Sequence, residues 1–219
     1  YRGRVKNTLY GGGENGQMLG NTEINVYGGY IRSAIYGGGK GSWKAPYSET
    51  LDSVGNYTDD TLSGYIAGNT TINLLGGTVP YTYGGCRRAS VGGNTTINIG
   101  EDSAGTGNYK GDVEFVNEII NGKSNIKNKV YGGNQYAGTP KGDITVNVYS
   151  TAHGDDPAHN KYPAGVKDSA GLARNDSIQT YAIGAVYGGS YNSNYLPRPG
   201  HSATVHVYGC ENTIPELYG

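Results

Sequence analysis

The sequence predicts an all-β chain folded as a right-handed parallel β-helix, a solenoid of about five coils carrying three long loop insertions. Three observations lead there. A Tyr-Gly motif recurs at Tyr10, Tyr36, Tyr83, Tyr131, Tyr187 and Tyr218, with a second Gly after all but the last. A second motif, Asn-Thr-x-Ile-Asn-Val, alternates with it. It runs Asn21 to Val26, Asn69 to Leu74 and Asn94 to Ile99, and more loosely Asp143 to Val148 and Ser202 to Val207. Inside each copy, polar and apolar residues alternate with the two-residue period of a strand. Two motifs repeated in fixed order mean one structural unit stacked on itself.

The second motif defines the first strand of each unit. One set of positions reads Thr22/Thr70/Thr95/Ile144/Ala203, Ile24/Ile72/Ile97/Val146/Val205 and Val26/Leu74/Ile99/Val148/Val207. These residues are small or branched, as an inward column requires. The intervening set, Glu23/Thr71/Thr96/Thr145/Thr204 and Asn25/Asn73/Asn98/Asn147/His206, is polar and is expected to face out.

The segment ending in each Tyr-Gly forms the second strand. Val5 to Tyr10, Ile31 to Tyr36 and Ile126 to Tyr131 match residue for residue, with Lys6, Arg32, Lys127 and the tyrosines outward. Val79 to Tyr83 and Ile214 to Tyr218 are one residue shorter and contain Pro, which removes a ladder donor. A bulge or break is expected there, and the register of Tyr83 and Tyr218 stays open. Gly28-Gly29 and Gly76-Gly77 are read as corners. Met18-Leu19, Tyr65-Ile66-Ala67 and Ala89-Ser90-Val91 are read as a third short strand.

Tyr10 to Tyr36 spans 26 residues, the length of one such coil and too short for a four-stranded propeller blade. Later spacings of 47, 48 and 56 fit the same coil with insertions at approximately 40–66, 101–125 and 150–181. Loops of this length are commonly functional. Helical turns are expected around Val113 to Ile120, where Val116, Ile119 and Ile120 have helical spacing. Residues 1–219 are read as one β-helix repeat domain. The first residue is Tyr1 rather than Met, and both ends fall inside repeats, so the chain is read as a fragment of a longer one.

Composition bounds the function. Gly occurs 39 times and Tyr 21 times, against one Phe, one Trp and one Met. A net charge of −1 gives no electrostatic footprint for nucleic acid. No apolar run is long enough to span a bilayer. Cys86 and Cys210 lie three repeats apart, beyond disulfide reach at about 4.8 Å per stacked strand.

The units Ile35-Tyr36-Gly37-Gly38-Gly39, Gly20 to Val26 and Leu75-Gly76-Gly77-Thr78-Val79 resemble the Tyr-Gly-Gly-Gly repeats of very large secreted bacterial surface proteins. Those are similar to adhesins and autotransporter passengers with pectin-lyase-like right-handed β-helices. The resemblance covers about half the chain. It implies an extracellular or bacterial cell-surface location and a stalk or adhesive role. It transfers no catalytic motif and implies no cofactor.

Candidate chemistry follows from the exposed residues. Tyr10, Tyr36, Tyr131 and Tyr187 form an expected outward ladder whose stacked rings would cover the Gly-rich backbone; the same rings could also stack on sugar rings or partner aromatics, so glycans or host surface proteins are the expected partners. Tyr27, Tyr149 and Tyr208 form a second, partial ladder. Asp59-Asp60, Glu101-Asp102 and Asp155-Asp156 are the carboxylate pairs a polysaccharide lyase or hydrolase would draw on, and Arg87-Arg88 could neutralise a uronate. Adjacent acids on an extended loop point apart, whereas glycoside hydrolysis needs two facing each other. His153, Asp155, Asp156 and His159 are metal-ligand types without a matching ligand spacing. The reading is therefore a structural and adhesive repeat segment. A carbohydrate-active enzyme and a phage tail-fibre segment are the alternatives.

Overall fold

The computed structural model describes residues 4–42, 63–100, 118–120, 123–125, 129–149, 183–208, 214 and 216–219. These are all-β, without a helix. The first-motif strands are β3 (Thr22–Ile31), β5 (Thr70–Thr78), β7 (Thr95–Ile99), β11 (Ile144–Val148) and β13 (Ala203–Val207). The Tyr-Gly strands are β2 (Leu9–Tyr10), β4 (Ala34–Tyr36), β6 (Tyr81–Tyr83), β10 (Lys129–Tyr131), β12 (Ala185–Tyr187) and β14 (Glu216–Tyr218). With β1 (Arg4–Val5) they form two six-stranded sheets, β1-β3-β5-β7-β11-β13 and β2-β4-β6-β10-β12-β14. Every pairing within both is parallel, and each strand lies beside its own equivalent from the neighbouring repeat.

The inward columns are as expected except at β13, the last strand of its sheet, where Val207 pairs with Val148 but is exposed. Ile24 pairs with Ile72, Ile72 with Ile97, Ile97 with Val146 and Val146 with Val205. Ile24, Ile72, Ile97 and Val146 share one buried cluster with Val26, Leu74, Ile99 and Val148, and with Ile35, Val130 and Val186 from the facing sheet, and Val205 packs against it partly buried. Burying each such side chain stabilises the fold by about 1.5–3 kcal/mol.

Thr22, Thr70 and Thr95 are buried at the start of their strands. Each hydroxyl donates to a Tyr-Gly carbonyl of the other sheet: Gly37 at 2.6 Å, Gly84 at 2.6 Å and Gly132 at 2.8 Å. These bonds tie the two sheets together and satisfy carbonyls that would otherwise be buried without a partner.

Asparagines run in two ladders. Outside the sheet, the Asn73 amide donates to Asn25 at 2.7 Å, Asn98 to Asn73 at 2.7 Å and Asn147 to Asn98 at 2.8 Å. At the strand entrance, Oδ1 of Asn21, Asn69 and Asn94 each accepts the backbone N–H of the next equivalent residue, at 2.8 Å. The glycine before each of Asn69, Asn94 and Asp143 leaves room for that side chain. The Gly-Asn-Thr signature is thus a packing and hydrogen-bonding unit.

Four expectations need correction. Gly28-Gly29 and Gly76-Gly77 are not corners; β3 and β5 run on through them, with register shifts after Val26. Pro80 does not break the second ladder. It sits just before β6, and Tyr81, Thr82 and Tyr83 pair in register with Ala34, Ile35 and Tyr36. The third segment is reduced to single bridges, Met18 to Ile66, Ile66 to Val91 and Val91 to Pro140. Between Val113 and Ile120, the described part is strand: β8 (Glu118–Ile120) pairs antiparallel with β9 (Lys123–Asn125). The β-branched pair Ile119-Ile120 suits a strand.

Candidate functional site

The tyrosines stack in one continuous column. Ring centroids are 4.9 Å apart for Tyr10–Tyr36 and for Tyr36–Tyr83, 5.2 Å for Tyr83–Tyr131, 4.6 Å for Tyr131–Tyr187 and 4.7 Å for Tyr187–Tyr218. Neighbouring planes differ by no more than 10°. The spacing is that of the strands beneath. This fixes the register that Pro80 and Pro215 left open: Tyr83 and Tyr218 belong to the ladder.

The ladder is not the exposed array that alternation implies. Tyr36 is 3% exposed, Tyr83 3% and Tyr131 4%, in a cluster separate from the aliphatic core. Their faces lie against each other, so no sugar ring can stack on them. What they direct outward is a hydroxyl edge. Burial, and then the neighbouring phenols, push the Tyr36 and Tyr131 hydroxyls well above the ordinary phenol value. Burial also raises Tyr83, against the opposing effect of its bond with Gln135.

A groove of about 830 Å³ lies along this ladder, bordered by Tyr10, Tyr36, Tyr83 and Tyr131. Tyr187 continues the stack but does not line the groove. Two further columns contribute to it. One lies two residues before each ladder tyrosine and holds Tyr81, Lys129 and Glu216, each paired in register through Ala34 or Ala185. The other lies four residues after, as Glu14, Lys40, Arg87, Gln135 and Tyr191. Main-chain bonds stack it: Lys40 N–H to Gly13, Arg87 N–H to Gly39, Gln135 N–H to Cys86 and Tyr191 N–H to Asn134.

Side chains of this second column join the ladder. The Tyr36 hydroxyl donates to Gln135 Oε1, and Gln135 Nε2 donates to the Tyr83 hydroxyl at 3.0 Å. Lys40 forms an ion pair with Glu14. Tyr191 meets Tyr131 edge-on at 5.2 Å and Tyr136 at 6.5 Å. The Arg87 and Arg88 guanidiniums lie 5.7 and 5.2 Å from the centre of the Tyr136 ring. Of the Arg87-Arg88 pair, Arg87 lines the groove.

The remaining sequence candidates fall as follows. Tyr149 and Tyr208 stack at 4.8 Å, while Tyr27 lies opposite Gly76 and is 67% exposed. Cys86 is fully buried and free, its thiol pushed up to about 12 by burial. Its sulfur accepts the Gly39 N–H at 3.3 Å, as Asn134 Oδ1 accepts that of Cys86 at 2.9 Å. Cys210 lies outside the described residues. So do Asp59-Asp60, Glu101-Asp102 and the candidate ligands His153, Asp155, Asp156 and His159. Among the described residues no cluster of metal-ligand side chains forms, and no helix is long and apolar enough to cross a membrane.

Gln135, Tyr136 and Tyr191 were not singled out from the sequence. Their signal was the position itself: four or five residues after each ladder tyrosine, the residue changes in every repeat. No protein-family model, curated protein or solved structure matches the chain.

Proposed function

We propose that this chain is a structural and adhesive segment of a bacterial cell-surface or secreted protein. In this reading it is a right-handed parallel β-helix of about five coils, with insertions at approximately 40–66, 101–125 and 150–181. It holds out a contact surface for glycans or host proteins. The observation that supports it best is the parallel pairing of each strand with its equivalent in both sheets, with Ile24, Ile72, Ile97, Val146 and Val205 in one row from β3 to β13 and six tyrosines in another from β2 to β14. Each repeat is stabilised by its neighbours, which suits an elongated support better than a closed globule. The groove supplies the adhesive part, because it joins aromatic rings, amide and hydroxyl groups and cations on a rigid scaffold.

The test is retention of the chain on arrays of glycans and host surface proteins, run beside a product-release assay on a polysaccharide panel. Retention without product release is expected. Release of shortened or unsaturated sugars would replace this reading with an enzymatic one, and absence of retention would remove the adhesive part.

A further inference from the structure

The ladder is nearly invariant, but the column beside it is not. Glu14, Lys40, Arg87, Gln135 and Tyr191 stack on one another through main-chain bonds, and no residue type repeats among them. Stacking alone would favour like residues here, as it does for the tyrosines and asparagines. Lys40, Gln135 and Tyr191 find partners within the fold, in Glu14, the Tyr36 and Tyr83 hydroxyls and the Tyr131 ring, whereas the positive charge of Arg87 meets no acid among the described residues.

The charges of the groove have a definite sign. Lys40, Arg87 and Lys129 line it, with Glu216 as the acid. Lys40 is neutralised by Glu14. Glu216 accepts the Tyr187 hydroxyl at 3.3 Å. Neither Arg87 nor Lys129 has an ion-pair partner among the described residues. The Arg87 guanidinium lies 5.7 Å from the centre of the Tyr136 ring, and a guanidinium presents its N–H groups in a fixed planar fork. Such a fork suits a carboxylate or sulfate, which it can hold through two parallel bonds. Tyr191, 49% exposed, adds a half-open ring at the same end, and Gln135 an amide.

We infer that the groove beside the tyrosine ladder binds a linear anionic glycan, with Arg87 and Lys129 holding its acidic groups and Tyr191 and Gln135 contacting its sugar rings and hydroxyls. The inference rests on the adhesive reading above and narrows it to one class of ligand. A nucleic acid is disfavoured by the chain's net charge of −1, since phosphate backbones are held by a broad excess of cations. The groove is also continuous over several strand levels, which suits a chain of sugars better than a single one.

The experiment is titration calorimetry of the 219-residue chain with an oligouronide, its carboxyl-reduced counterpart, a sulfated oligosaccharide and single-stranded DNA. Binding of the oligouronide or the sulfated chain is expected, and which of the two is tighter identifies the acid group. The carboxyl-reduced chain should bind at least roughly tenfold more weakly, and R87Q and K129Q should each weaken acidic ligands by a similar factor. Circular dichroism checks that both variants keep the sheet content of the parent. Equal binding of acidic and reduced glycans, or binding unaffected by R87Q and K129Q, would overturn the anionic assignment and leave the adhesive reading in place. Failure to bind any glycan would overturn both for this surface. Tighter binding of DNA would assign the groove to a different polyanion.

Discussion

Replacing Gly37 by alanine tests the stacking at its tightest point. Where the backbone suits both residues, this exchange ordinarily stabilises a protein by about 0.4–1 kcal/mol, because alanine restrains the unfolded chain. Gly37 has no positive φ that would strain alanine. Yet an added Cβ would come closer than 3.0 Å to the Gly84 carbonyl oxygen of the next repeat, and would stand 3.0 Å from Thr70 Cβ. Neither neighbour is a flexible side-chain end, so the two levels must separate. Overpacking of this kind costs about 1–3 kcal/mol. Separation also strains the Gly37 N–H bond to Tyr83 at 3.0 Å and the Thr22 hydroxyl bond to the Gly37 carbonyl at 2.6 Å. Each contributes about 0.5–1.5 kcal/mol. Set against the gain from restraining the unfolded chain, the expected net loss is about 1–5.5 kcal/mol. Gly20 is the control: it has ordinary φ, and nothing lies within 4 Å of its added Cβ. Gly20→Ala should fall within about 0.5 kcal/mol of the parent. Urea unfolding followed by circular dichroism measures both, as midpoint shifts at constant slope. Equal midpoints for the two variants would refute the close approach of the Tyr-Gly carbonyls.

Three further outcomes follow from the same geometry. Thr70→Val keeps the shape but removes the donor to the Gly84 carbonyl, and should destabilise by about 1–3 kcal/mol in the same unfolding assay, whereas Thr71→Val on the outer face should change little. In a Cys210→Ser background, Cys86 should resist a thiol-specific disulfide reagent at about pH 8, well below its value of about 12, and react fully in denaturant; rapid native reaction would contradict its burial. The Asp143 carboxyl is held below its ordinary value by the Ser202 N–H at 2.9 Å, and then by His201 at 3.2 Å. A lowered folded value means that its contribution is full above the ordinary carboxylate range and is lost as pH falls through the lowered one. Asp143→Asn keeps the acceptor oxygen, so it should flatten the acid limb of a stability-against-pH profile while leaving the ladder intact; an unchanged acid limb would count against the pairing.

What could be read in advance was whatever depends on one residue and its own copies. The inward column of Ile24, Ile72 and Ile97 follows from a two-residue period and a repeat, and the structure places them side by side. The Asn25 to Asn147 ladder follows in the same way. Alternation alone misplaced the tyrosines, because it gives the side of the sheet but not what covers it. Tyr36 is outside the aliphatic core, and it is buried by Tyr10, Tyr83 and a bond to Gln135 that lies 99 residues away. Gly28-Gly29 misled for a related reason. Glycine marks turns and also close contacts between backbones, and sequence does not distinguish them. The fold subtracted one more cue: Pro80 looked like a ladder breaker, but it lies just ahead of β6 and its carbonyl still accepts the Lys129 N–H at 3.1 Å.

In a stacked repeat, selection for the fold acts on every level alike, and so the levels converge. Thr22, Thr70 and Thr95 make the same bond to successive glycines, and six tyrosines make the same stack. A position that departs from its own column forgoes that shared stabilisation, worth about 0.5–1.5 kcal/mol for each aromatic pair. The departure from uniformity is concentrated next to the ladder, where Lys40, Arg87, Gln135 and Tyr191 follow one another along the groove. One residue earlier in each repeat, the column Gly39, Cys86, Asn134 and Ser190 also varies, yet there the Cys86, Asn134 and Ser190 side chains each accept the N–H of the level before, at 3.3, 2.9 and 3.0 Å. That variation is accounted for inside the fold. Arg87 and Lys129 have no such internal account, and so it is at these two cations that a ligand has to be sought first.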